Sequence, residues 1–165
     1  GEIAGEFVGL AGNLGALAEG RRYRVRDLNR SWTPTGIATA RESTPEEPCE
    51  DREQVELLEA IDTVLADARG PAFLLDLHTT SGPGEPFSTV MDSLRSRKFA
   101  LGIPVPLVVG LGELVEGTLL GYLASRGIPG MVFEGHLPDQ AALSGVLDML
   151  YVHHLAVVSV ELIDP

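Results

Sequence analysis

The stretch LLDLHTTSGP, residues 74–83, restricts the fold more than any other part of this chain. Its apolar start has the length of a strand buried on both faces of a sheet, and the turn residues that follow stop it abruptly. His78 is thereby placed where a core strand emerges. In open α/β sheets ligands bind at that edge.

The rest of the chain repeats the alternation of short apolar runs with longer helical patterns. Strands are expected near 6–11, 71–77, 103–109 and 128–134, with a weaker one near 86–91. Helices are expected near 13–19, 50–69, 113–126 and 138–156. Val55, Leu58, Ile61, Leu65 and Ala68 form one apolar stripe on the second helix. Gly127 and Pro129 close the third, and Pro138 suits the first turn of the fourth. The Thr-Pro-Thr-Gly stretch after Trp32 reads as a loop. This order predicts an α/β three-layer sandwich around a mixed, largely parallel central sheet.

At 165 residues and 44% hydrophobic the chain is one domain's worth, able to bury a proper core. A formal charge of −12 argues against nucleic acid and anionic membranes as partners and for a small molecule. The single cysteine, Cys49, rules out an intrachain disulfide framework and fits a reducing compartment. No apolar run is long enough to cross a bilayer, and the N-terminus lacks a signal-peptide pattern. A cytoplasmic location is expected. The chain opens on GEIAGEFVGLAGN without an initiator Met, which reads as a chain already cut before its first strand.

Residues 42–67 hold ten acidic groups against Arg52 alone, read as a solvated helix surface with its leader. One local exception breaks the acidic balance. Five of the twelve cationic residues lie in RRYRVRDLNR, 21–30. Arginine grips a carboxylate through two parallel hydrogen bonds, so such a cluster points to an anionic ligand group. Pairing with the acidic helix is the competing explanation. GIPGMVFEG at 127–135 then repeats the opening pattern, an apolar strand ending in an acid, Glu134, followed by Gly.

GNLGALAEGRRYRVRDLNRSW at 12–32, DLHTTSG at 76–82 and GIPGMVFEG at 127–135 together resemble the succinylglutamate desuccinylase and aspartoacylase family, a branch of the zinc carboxypeptidase superfamily. The resemblance covers nearly the whole chain and implies a zinc-carboxypeptidase-like fold. It further implies that His78 is a zinc ligand and Glu134 the general base for the attacking water. It makes Asn29 and Arg30 the grip on the substrate carboxylate, and Arg22 the group that polarises the scissile carbonyl. Asp76, on the same strand face as His78, is placed to support the site or simply to pack.

The chain departs from the family at the other two zinc ligands, a His-x-x-Glu motif that precedes the Gly-Asn stretch in relatives and does not occur here. These two ligands are expected upstream of Gly1. The family's C-terminal β-rich domain is likewise not expected within these residues. The expectation is a single catalytic domain over 1–165, incomplete at the N-terminus, with one zinc ion in the complete site and weak zinc binding without it. His136 offers an alternative triad with His78 and Glu134, whereas His153 and His154 suit the negative end of a helix dipole. The implied activity is hydrolysis of the amide bond of an N-acyl amino acid. A carboxypeptidase acting on peptides and an inert carboxylate-binding module are the alternatives.

Overall fold

The computed structural model of the protein describes residues 6–44, 49–79 and 84–135. Four strands form one sheet: β1 (Leu74–Thr79), β2 (Phe87–Val90), β3 (Leu107–Val109) and β4 (Gly130–Gly135), in the order β1-β4-β2-β3. β1 runs parallel to β4 and β2 parallel to β3, while β2 and β4 are antiparallel, so the sheet is mixed as expected.

Side chains on a strand alternate between faces, and here the alternation divides the core in two. Leu75 and Leu77 of β1 join Met131 and Phe133 of β4 in a cluster with Phe99, Ala100 and Ile103. That cluster is covered by helix α4 (Leu94–Ala100), begun by Ser93, whose hydroxyl accepts the Ser96 N–H. On the other face Leu74 and Val132 meet Leu58 and Ile61 of α3 (Cys49–Asp67) and Leu120 and Leu123 of α5 (Leu119–Ser125). Arg126 ties α5 to α3 through Asp62 at 2.6 Å. Helix, sheet and helix make the three layers. The even-numbered residues of β1, Leu74, Asp76 and His78, all belong to the α3/α5 face.

Two short helices precede α3: α1 (Leu14–Ala18) and α2 (Pro34–Glu42). α2 corrects the loop expected after Trp32. Thr33 is an N-cap whose hydroxyl accepts the Gly36 N–H at 3.0 Å, and Pro34 takes the first helical position, where a missing N–H costs nothing. The strand expected at 6–11 is not formed. That segment has no regular structure and contributes no strand to the sheet; an apolar run becomes a strand only where a ladder receives it. The strand expected at 103–109 shrinks to Leu107–Val109, because Pro104 and Pro106 have no N–H to give a ladder.

The helix expected at 113–126 divides into a 3-10 turn at Leu111–Leu114 and α5, with Gly117 between them at φ 74. A Cβ on Gly117 would lie 2.2 Å from the Arg30 carbonyl oxygen, and its own carbonyl accepts the Trp32 N–H at 3.0 Å. The positive φ therefore serves a close backbone approach. α4 is an element the periodicity did not suggest, since its LRSRKFA sequence carries little apolar pattern. The helix expected at 138–156 lies outside the described residues, as do Gly1, His136, His153 and His154.

Candidate active site

The parallel register of β1 and β4 pairs His78 with Glu134 directly. Two residues singled out separately as strand ends are thus neighbours, with His78 Nδ1 3.7 Å from Glu134 Oε1. One position pair earlier on the same face stands Asp76, 2% exposed, whose Oδ2 is 3.0 Å from His78 Nε2. A buried carboxylate behind an imidazole fixes the ring and its tautomer. With the ring proton on Nε2 facing Asp76, the lone pair of Nδ1 faces the Glu134 side. Asn29 Nδ2 lies 3.2 Å from the same Nε2. Nε2 cannot donate to Asp76 and accept from Asn29 at once, and the charge-assisted bond to Asp76 is the stronger.

Burial pushes the Glu134 carboxyl above its usual range; His78 opposes the shift, Asp76 adds to it, and Arg22 and Arg30 both oppose it. Its charge is therefore felt by both arginines assigned to the substrate. Glu134 combines partial burial with a side chain still 23% exposed, the condition of a base that must meet water.

The arginine-rich segment sits on the face shared with Asp76 and His78 and is shaped by acids. Arg22 donates from Nε to Asp27 Oδ2 at 3.1 Å, and its Nη2 lies 3.0 Å from the same oxygen in an ion pair. Arg24 pairs with Glu19 at 2.5 Å and Arg26 with the buried Asp51. Arg21 reaches Glu19 at 4.0 Å. Within this cluster Arg30 is the guanidinium with no ion pair among the described residues; its Nη1 donates to the Asn29 carbonyl at 2.7 Å. Four of the five arginines thus pair with acids, but it is Arg26 that does so with the acidic helix, through Asp51; Arg21, Arg22 and Arg24 pair locally with Glu19 and Asp27, which corrects the expectation of pairing with that helix.

Asn29 is only 8% exposed, and its carboxamide spans two elements. Oδ1 accepts the Leu119 N–H at 2.9 Å, at the start of α5, and Nδ2 meets His78. It joins the arginine segment, α5 and β1 at one point.

The acidic run at 42–67 is not simply a solvated face, which corrects that expectation. Glu50, Asp51 and Glu53, in the first turns of α3, are buried. Glu50 Oε1 accepts the N–H of Arg24 at 2.5 Å and of Val25 at 3.3 Å, while Glu53 accepts those of Leu14 and Gly15. Neither these acids nor Asp27 stood out in the sequence. Asp27 carried a signal, an Asx residue two positions before the amide it accepts; Glu50 and Glu53 carried none.

Beneath Asn29 and Asp76 lies an apolar cavity walled by Leu10, Trp32, Leu57, Ile61 and Leu119. Such low-dielectric walls strengthen the hold of Asp76 on the imidazole.

As a zinc donor His78 is well prepared, with the lone pair of one nitrogen turned toward Glu134 and a carboxylate behind the other. The number of donors falls short. Among the described residues no three His, Cys, Asp or Glu side chains converge to hold a metal, so these residues alone do not make a zinc site. The two ligands expected upstream of Gly1 fall outside the described residues, which begin at Glu6.

A family model, the Succinylglutamate desuccinylase/Aspartoacylase catalytic domain, matches residues 4–88, a little over half of the chain. The chain belongs to the succinylglutamate desuccinylase/aspartoacylase family. That match contains the arginine segment, Asp76 and His78; Glu134 lies beyond it and is joined to them by the sheet. Murine aminoacylase 3 has a similar fold, with a TM-score of 0.57 and 20% identity over 87% of this chain and 50% of that one. This member of the desuccinylase/aspartoacylase family spans about half the length of that structure. No curated protein matches it. Among the described residues no helix is long and apolar enough to cross a membrane.

Proposed function

We propose that this chain is the core of a zinc-dependent hydrolase that removes the acyl group from an N-acyl amino acid. The reading rests on His78 and Glu134 set side by side at the ends of parallel strands, within the field of Arg22 and Arg30, in a member of this family. Zinc would supply Lewis acidity and a water ionisable near neutral pH. His78 would be one of its ligands, oriented by Asp76, and the family resemblance puts the others upstream of Gly1.

The chain's own groups account for the rest. Glu134, with its carboxyl raised by burial, takes the proton of the attacking water and can return it to the leaving nitrogen. Arg22, whose Nη1 hydrogens are uncommitted among the described residues, faces the charge that grows on the carbonyl oxygen. Arg30 takes the carboxylate of the amino acid in a forked pair. Asn29, assigned to the same carboxylate by the family resemblance, keeps Oδ1 on the Leu119 N–H and would reach the carboxylate through Nδ2, which does not bond a protonated His78 Nε2. Its Oδ1 holds the start of α5 in place.

The test is hydrolysis by the zinc-loaded whole protein of N-acetyl and N-succinyl amino acids beside short peptides with free C-termini. Release of the acyl group from the former is expected. Cleavage confined to peptides would make the protein a carboxypeptidase. Carboxylate binding without turnover of either substrate class would make it a binding module.

A further inference from the structure

Arg22 is held at both of its ends by residues to which neither the family resemblance nor the proposed chemistry gives a task. Its guanidinium presents Nε and Nη2 to one oxygen of Asp27, at 3.1 and 3.0 Å. The other Asp27 oxygen accepts the Asn29 N–H at 3.0 Å, and the Asp27 carbonyl accepts the Ser31 hydroxyl at 3.0 Å, so the carboxylate is itself fixed. At the main chain, the Arg22 carbonyl accepts from Asn13 Nδ2 at 3.1 Å. Asn13 is 3% exposed and has a left-handed backbone, φ 50 and ψ 46, a conformation that asparagine tolerates better than most residues. Its carboxamide therefore comes from a rigid, buried corner.

We propose that Asp27 and Asn13 are positioning residues for Arg22: Asp27 aims the guanidinium and Asn13 anchors the backbone that carries it. This rests on the reading of Arg22 as the group facing the scissile carbonyl. The side chain needs such help, because Arg22 is half exposed and an exposed arginine samples many rotamers. Binding through the Nε and Nη2 edge turns the Nη1 edge outward in a defined direction. Asp27 also begins the short turn containing Asn29, which touches His78. One carboxylate thus sets the guanidinium and the His78 side of the site relative to each other.

Asp27→Asn separates aiming from folding. Its carboxamide oxygen still accepts the Asn29 N–H, and asparagine is as good a cap as aspartate, but the charge facing Arg22 is gone. Asp27→Ser keeps a capping oxygen by a different route and serves if the first variant folds poorly. Asn13→Gly keeps the left-handed backbone and removes the carboxamide. In the zinc-loaded whole protein, the Arg22 Nε–H resonance, identified by its absence in Arg22→Lys, is expected to be slow in exchange with water. It should become fast in Asp27→Asn while the melting temperature stays near that of the unaltered protein.

With an N-acyl amino acid as substrate, kcat should fall by about 10²-fold with KM nearly unchanged, the loss expected when a transition-state contact is misplaced. Asn13→Gly should show the same division between kcat and KM. A slow Arg22 Nε–H that persists in Asp27→Asn and Asp27→Ser, or a change confined to KM, overturns the proposal. If the unaltered protein has no turnover, the deacylase reading fails by itself, and the resonance still decides whether Asp27 aims Arg22.

Discussion

Glu134 is poised between two demands, to lose its proton to solvent and to sit where solvent is scarce. Because burial raises its pKa in the fold, ionisation at neutral pH works against folding. The stabilising contribution of such a group is complete below its unfolded pKa and disappears as pH rises through the folded value. Glu134→Gln is therefore expected to melt higher than the unaltered zinc-free protein near pH 7, with the difference closing as pH falls through the carboxylate range. Melting curves across pH check this, and a constant difference would show that packing, rather than charge, is involved. In the zinc-loaded whole protein the same variant should lose about 10²–10⁴-fold in kcat through loss of the base. Retained activity would remove Glu134 from the mechanism. Arg30 and Arg26 should separate in the opposite sense. Arg30→Lys keeps the charge and loses the planar fork, so substrate KM should rise with little change in melting. Arg26→Met leaves Asp51 buried without its cationic partner and should lower the melting temperature while leaving KM alone. At this scale the sequence was partly legible. His78 and Glu134 ended apolar runs that only strands explain, whereas the burial of Glu50 and Glu53 depends on where α3 begins relative to a loop some 26 to 39 residues earlier.

Elements meet at the Asn29 carboxamide and at Gly117, and both joints involve the turn that carries Arg30. Asn29→Ala would leave the Leu119 N–H buried without an acceptor, at a cost of about 1–3 kcal/mol. Gly117→Ala faces a positive φ and a backbone oxygen together, so it should destabilise by more than about 1 kcal/mol. Denaturant unfolding measures both. If Gly117→Ala were neutral, the close approach of Arg30 to the α5 entry would not be a native contact. The elements themselves were readable where one periodicity governed them, as in α3 and β1. They were not where local chemistry prevailed over pattern. Thr33 and Pro34 spelled a helix start inside what resembled a turn, and Pro104 and Pro106 consumed half of an expected strand. The 6–11 run shows the limit from the other side, because its apolar residues carry no information about which ladder would receive them.

For the whole molecule, the sheet separates stability from chemistry by alternation along a single strand. Leu77 points into the α4-side cluster, and His78, its neighbour, points to the site. Leu77→Ala should cost about 2–5 kcal/mol, with the KM of whatever protein remains folded unchanged. His78→Gln keeps an N–H for the buried Asp76, so it should leave the melting temperature of the zinc-free protein nearly as it was and weaken zinc binding in the whole protein, read by calorimetry. Loss of zinc affinity in Leu77→Ala alone would mean that the two faces are not independent. The layered architecture was legible because it follows from alternating apolar runs and helical stripes. A mixed sheet was expected, but that β2 and β4 are the antiparallel pair was decided by no local residue.

The pairing of His78 with Glu134 also governs the order of events during folding. The two strands lie far apart in the chain and have α4, β2, β3 and α5 between them, so this contact closes a long loop and contributes strongly to contact order. Helices α3 and α5 can form early from local interactions, but the imidazole and carboxylate meet only when β4 docks beside β1. In a refolding experiment the appearance of the site should therefore coincide with the slowest phase, and the nascent chain cannot assemble it until β4 has left the ribosome.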